Sequence, residues 1–471
     1  MTKTISFNQA LITVILSLGG VITGKLFLSL DITIALLLAA VVTSCYVALL
    51  GVKWDDIETE ICRGIGSMSL PMIILVGTGI LVGVWMTAGV IPMMMYWGLK
   101  LLTPQTFLIV TCFICTLMSL VSGTSWGTIA TSGVALLGVG MGLGVPVPHI
   151  CGAIVVGAFF GDKLSPLSDS TILSSASCNV PLVEHIKHML WTTIPAYACS
   201  IVLFLFLGAG YEGAIAGAEY ESLLTGLQST FKMSIFSFLP PVIVFYLVAK
   251  GKPALVAFTA GIFTAVALGM IIQGHSFTVL CNAMANGCSI ESGNALVDKL
   301  IHRGGMSSMF STVAIMLGAS VFVAPVRASG AAEVLFNKVE ELSKTPARFM
   351  IACYIIHPIF NLVAASYYVT FPVMGGFTAP VFDKLGLSRA NLSRTFEDTG
   401  TIMAPLIPWE VSAIYIYAQL GVHPGEYWMY APMCWLGIVF GILLCITGIG
   451  IKKSDGTYVR PILWQKRAQK V

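Results

Sequence analysis

Gly161-Asp-Lys-Leu-Ser-Pro-Leu-Ser-Asp-Ser-Thr171 follows directly on the apolar run Ile150 to Phe160, and Pro166 interrupts whatever helix that run begins. The stretch holds Asp162, Lys163 and Asp169 together with the hydroxyls of Ser165, Ser168, Ser170 and Thr171. A charged side chain at membrane depth costs roughly 2.5–3.5 kcal/mol on insertion scales, so two carboxylates here imply a task, a partner or a water-lined cavity. Cation binding is the task that fits.

The membrane frame comes from composition. Of 471 residues, 56% are hydrophobic and 10% charged, with a mean hydropathy of +0.90, whereas an ordinary soluble domain carries about 25% charged residues. No water-soluble arrangement hides that much apolar surface. At about 20 residues per span the apolar runs give roughly twelve to fourteen crossings, leaving little chain for a soluble domain. Nucleic-acid binding is excluded on the same ground. The twelve cysteines are scattered, and the close pair Cys112 and Cys115 lies inside an apolar run, so they read as reduced, packed thiols.

The chain divides into residues 1–210, an acidic link 211–231, residues 232–451 and a basic tail 452–471. The link carries Glu212, Glu219 and Glu221 without Lys or Arg, while the tail holds Lys452, Lys453, Arg460, Lys466, Arg467 and Lys470. The positive-inside rule puts the tail in the cytoplasm and the link outside, with both termini cytoplasmic.

A duplication relates the two long parts. Ile61-Cys-Arg-Gly64 recurs as Ile301-His-Arg-Gly304, an offset of 240 (301 − 61), and Pro166 recurs as Pro408, an offset of 242 (408 − 166). The shared register over more than a hundred residues makes this a repeat, and an odd number of crossings between equivalent segments turns the second copy upside down. The expected fold is an all-α polytopic membrane protein, two inverted repeats with broken or re-entrant helices, a hallmark of secondary transporters.

Each copy carries two polar devices. In the first, Ser122, Thr124, Ser125 and Thr128 cluster ahead of a glycine-rich run within segment 124–144, and the broken acidic stretch adds Asp162, Asp169, Ser165 and Ser168 around Pro166. In the second, Thr370 lies in segment 366–382, and Arg394 to Glu410 places Glu397, Asp398, Thr401 and Glu410 among Pro405 and Pro408. Broken backbone supplies carbonyl oxygens beside the carboxylates, the oxygen-rich ligand set that a hard cation requires. A proton competing with the cation for one carboxylate couples their fluxes.

Other roles compete for some of these charges. Lys163 is a natural partner for Asp162 or Asp169. Glu397 and Asp398 follow Arg389 and Arg394, which also suits a helix start at the cytoplasmic surface. His149 and His357 read as satisfied core histidines, and Glu184-His-Ile-Lys-His188 as an interfacial helix start. No nucleophile–base or metal constellation with enzymatic spacing is present in the sequence.

The motifs Gly161 to Thr171, Gly123-Thr-Ser-Trp-Gly-Thr128 and Leu392-Ser-Arg-Thr-Phe-Glu-Asp-Thr-Gly400 with Pro405-Leu-Ile-Pro-Trp409 closely resemble the NhaC-type sodium/proton antiporter family over nearly the whole chain. The resemblance implies a multi-pass exchanger of the bacterial inner membrane, elevator-like and dimeric, that needs no cofactor and takes Na+ through Asp169 and Asp162. The family also includes exchangers of malate and lactate, so a small organic acid is an alternative cargo, for which Arg327 and Lys163 are the near-membrane cations. Glu410 departs from the family pattern, where an uncharged polar residue follows Pro-Trp; an acid there suits an altered ion ratio or an amine or amino-acid solute.

Overall fold

A computed structural model describes residues 5–460 apart from Leu167, 212–216, Gly251, Ala332, 336–337 and 339–344. Glu212 and the tail residues Lys466, Arg467 and Lys470 therefore lie outside the described residues. The protein is helical: α1 Phe7–Ile22, α2 Ile32–Leu49, α3 Trp54–Thr87, α4 Val90–Leu101, α5 Pro104–Ser122, α6 Ser125–Thr128, α7 Val134–Gly142, α8 Val147–Leu164, α9 Asp169–Ser177, α10 Leu182–Ala209 and α11 Gly217–Thr230. The second part holds α12 Leu239–Ala249, α13 Ala254–Leu268, α14 Phe277–Asn286, α15 Ala295–Ile301, α16 Phe310–Ala328, α17 Pro346–Ala364, α18 Tyr367–Lys384, α19 Arg389–Thr399, α20 Val411–Leu420, α21 Pro424–Tyr427 and α22 Met433–Thr447. Among the described residues, ten helices are long and apolar enough to cross a membrane, or up to twelve if each of two bent pairs is one span. This is a multi-pass membrane protein.

The halves match element by element. α5 and α17 both start with a Thr N-cap and Pro at the first position, Thr103-Pro104 and Thr345-Pro346, an offset of 242 (346 − 104). Both end in the left-handed conformation, Gly123 at φ 68° and Ala365 at φ 52°. The next breaks match as well, since Ser168 caps α9 and Glu410 caps α20, again 242 apart (410 − 168). The repeat that two short motifs suggested thus extends to helix starts and stops.

Segments 124–144 and 366–382 are not simple spans. The first is α6, a π-turn over Ile129–Gly133, and α7. The second is α18, which contains Pro372 and Pro380. The acidic link is also more than a loop, since α11 buries Leu223, Leu224 and Leu227 against the bundle.

At the centre runs α8, buried from Ile150 to Lys163. Its glycines let α5 lie against it: a Cβ on Gly157 would stand 2.3 Å from the Cys112 carbonyl oxygen, and one on Gly161 2.5 Å from that of Thr116. Small residues permit such approach inside membranes, where packing and polar contacts replace the hydrophobic drive. Cys112 and Cys115 face this seam as buried free thiols.

Candidate functional site: a buried carboxylate cluster between two broken helices

The break after α8 is closed by hydroxyls. Ser165 caps α8 in an extended conformation and donates to the Leu120 carbonyl at 2.8 Å. Thr171 Oγ1 donates to the carbonyls of Asp162 and Lys163, at 3.2 and 3.1 Å, beside the Ser165 N–H that the Asp162 carbonyl accepts at 3.2 Å. Ser168 caps α9 through Thr171 N–H at 3.5 Å. Ser165 and Ser168 thus hold the break in shape.

Asp162 lies one turn before that break and is 2% exposed. Its Oδ2 accepts from Ser125 Oγ at 2.6 Å, and its Oδ1 has no hydrogen-bond partner. Ser125 is placed by the αL turn at Gly123 and the Thr124 cap, so the first hydroxyl cluster and the first acidic stretch meet as the sequence suggests. On another side of α6, Ser122, Thr124, Thr128 and Thr131 line a small, partly open cleft with Val244 and Phe258. Trp126, between those hydroxyls, stacks on Tyr415 of α20 at 4.6 Å.

Lys163 pairs with neither Asp162 nor Asp169. Its Nζ reaches Asp398 Oδ1 at 2.5 Å, with 1% and 0% of the two side chains exposed. Asp398 also accepts from Thr192 at 2.9 Å on Oδ1 and from Tyr354 at 2.9 Å on Oδ2. The reason is direction: Lys163 follows Asp162 by one position, so on a helix their side chains diverge by about 100°. Asp398 is therefore a structural anion joining the two halves.

Asp169 is exposed at the first position of α9, accepting from Ser170 N–H at 2.9 Å and from Tyr368 Oη at 2.7 Å. It remains an electrostatic neighbour of Asp162. Glu397 and Asp398 do not sit at a helix start; both lie in the last turn of α19, fully buried. Glu397 Oε1 accepts from Ser174 at 2.9 Å, while Oε2 has no partner.

The second break runs from Gly400 to Glu410 and includes Thr401, a single 3-10 turn Ala404–Leu406, and Pro408. Thr401 Oγ1 is buried without a partner. Glu410 caps α20, its Oε2 accepting from Ser412 N–H at 2.6 Å, and its Oε1 is unpartnered at 1% exposure. Thr370 is engaged elsewhere, donating to Asn361 Oδ1 at 2.5 Å, while Asn361 Nδ2 holds the Thr399 carbonyl at 2.8 Å. His357 is a core histidine, stacked on Phe396 at 4.6 Å. His149 is only half-buried and meets the Tyr211 hydroxyl at 2.5 Å.

Sequence reasoning missed Tyr354, Thr192, Asn361, Ser174 and His185. In the sequence His185 reads only as part of an interfacial helix start, and packing alone brings these side chains to the acids. Among the described residues, Asp162, Glu397 and Glu410 have no cationic partner.

The signature described as the Na+/H+ antiporter family matches residues 2–181 and 157–449. The chain belongs to the Na+/H+ antiporter family. Among members of this antiporter family, the chain is 31% identical to the Na(+)/H(+) antiporter NhaC of Alkalihalophilus pseudofirmus, over 96% of this chain and 97% of that protein. It is 33% identical to the malate-2H(+)/Na(+)-lactate antiporter of Bacillus subtilis, over 90% of each chain. A third relative, the arginine/ornithine antiporter ArcD of Halobacterium salinarum, is 32% identical over 94% of this chain and 92% of that protein.

Proposed function

We propose that this antiporter-family chain exchanges sodium ions for protons across the bacterial inner membrane, with both termini cytoplasmic, and that Asp162 is the carboxylate for which the two cations compete. One observation carries the reading: Asp162 is sealed from solvent, held through Oδ2 by Ser125, and its Oδ1 is free because Lys163 is bound to Asp398. An isolated buried carboxylate is costly, so it is occupied by a cation or a proton. Ser125 and the carbonyls at the break complete the oxygen set. The hydroxyls of Ser122, Thr124 and Thr128 line the approach, and Asp169 at the exposed edge draws cations inward. Glu397, Thr401 and Glu410 form the facing polar group in the second half.

Sodium-driven proton release from proteoliposomes, followed with a pH-sensitive dye, tests the assignment. Asp162→Asn removes the exchange; release at the wild-type rate would eliminate the site.

A second reading, exchange of an organic solute together with the ions, draws on the unpartnered oxygen of the buried Glu410. Two relatives bear the names of organic-solute antiporters. Labelled malate, lactate, arginine and ornithine, supplied in turn to the same vesicles, separate the two readings. Within the second reading the occupied Lys163 disfavours an acid, and the free oxygen of Glu410 favours an amine.

A further inference from the structure

Glu397 is connected to one end of the bundle by a chain of hydrogen bonds through residues that the exchange reading leaves without a role. Ser174 on α9 donates to Glu397 Oε1 at 2.9 Å, and its Oγ also lies 2.9 Å from His185 Nε2. The other ring nitrogen, Nδ1, is 2.8 Å from Ser393 Oγ on α19. All four side chains are fully buried.

The hydrogens in this chain are ordered by counting. Ser174 has one hydroxyl hydrogen, and the carboxylate attracts it more strongly than the Thr171 carbonyl at 3.2 Å. His185 Nε2 must then donate to Ser174 Oγ, which leaves Nδ1 to accept from Ser393. Every bond points toward Glu397. The outer end lies beside the water-facing surface: Glu184, next to His185, pairs with Lys452, and the two are 35% and 20% exposed. Asn391, two positions before Ser393, holds the Lys452 backbone at both its N–H and its carbonyl.

We infer that Ser393, His185 and Ser174 form a proton relay that loads and unloads Glu397 from the Glu184–Lys452 end of the protein. A proton arriving at Ser393 Oγ displaces that hydroxyl's own proton onto His185 Nδ1. His185 Nε2 passes its hydrogen to Ser174 Oγ, and Ser174 gives its own to Glu397 Oε1. One proton enters and one carboxyl forms, with no net charge change at any intermediate residue. The charged groups nearby do not block this path. Lys163 and Asp398 neutralise each other, His188 is engaged by Asn391 at 3.0 Å, and Arg394 points to the Gly450 carbonyl at 3.1 Å. Asp162, the remaining neighbour of Glu397, is the sodium-competing acid of the exchange reading, on which this relay rests.

The test uses the full chain in proteoliposomes and two readouts, sodium-driven proton release and labelled sodium-for-sodium exchange, which needs no proton transfer. His185→Gln and Ser174→Ala slow proton release by at least about tenfold, while sodium-for-sodium exchange stays close to wild type. Ser174→Thr, which keeps the hydroxyl, restores most of the proton flux. Unaltered proton release in His185→Gln, or an equal loss of both readouts, overturns the relay. A wild-type protein that releases no protons on sodium addition would remove the exchange reading together with the relay. Normal wild-type exchange with an unaffected His185→Gln removes the relay alone.

Discussion

Asp162 and Asp398 are both carboxylates near a helix break, yet their surroundings give them opposite characters. Three donors, Lys163, Thr192 and Tyr354, saturate Asp398, whereas Asp162 has one donor and one bare oxygen. A group without a permanent partner can change its occupant. In the proposed exchange, sodium meets an ionised Asp162 and a bound proton excludes it, so acidification weakens sodium binding. Where the protonated form dominates, each unit of pH lost raises the apparent KM for sodium by about tenfold, roughly 1.4 kcal/mol. A sodium titration of transport at a series of pH values checks this, and a flat KM contradicts the competition. Glu410 offers a second test at the same scale. Glu410→Gln keeps an acceptor for Ser412 N–H, so the α20 cap survives while the charge goes. The expected outcome is a changed proton-to-sodium ratio with an unaltered melting temperature.

At the scale of elements, the Lys163–Asp398 pair ties the end of α8 to the end of α19 and so fixes the two breaks against each other. Removing one partner strands a buried charge, which costs about 3–5 kcal/mol, while replacing both by apolar residues of similar size costs much less. Lys163→Met and Asp398→Leu therefore each lower the melting temperature in detergent, and the double variant recovers most of the loss. The α5–α8 seam makes a separate prediction. A methyl group at Gly157 meets the Cys112 carbonyl, a rigid neighbour, so Gly157→Ala forces the helices apart and destabilises by roughly 1–3 kcal/mol. Gly376, with open space around its Cβ position, tolerates the same change and serves as the control.

For the whole molecule, equivalent caps and breaks 242 residues apart place two interrupted helices side by side at the acids. If the two copies are inverted, as the proposed exchange requires, such repeats open the site alternately to either side. One net charge moved across 100 mV is worth about 2.3 kcal/mol. If more than one proton leaves the vesicle per sodium that enters, net positive charge moves outward and an imposed inside-negative potential slows exchange; a one-for-one exchange ignores it. Valinomycin-clamped vesicles with graded potassium gradients read this directly.

Much of this was legible in the sequence because it is local. The apolar runs specify membrane helices, Pro166 and Pro408 interrupt them, and Thr-Pro and Ser caps mark where they resume. Buried acids in such runs announce either an ion site or a buried ion pair, since an uncompensated charge is costly in a membrane. What the sequence left open are choices among partners, and these depend on helix rotation and packing. Lys163 had two acids nearby along the chain and took a third, 235 residues away, because α8 turns its side chain toward α19. Asp169 looked equivalent to Asp162 and lies at the exposed edge, because the break redirects the chain after Ser165. His185 reads only as part of an interfacial helix start and Ser174 carries no motif; three-dimensional proximity alone sets Ser174 against Glu397 and His185 against Ser174. The sequence by itself determined where helices span and where they stop; the tertiary structure decided which acids are neutralised and which stay free, because charge pairing at long range follows packing rather than order along the chain.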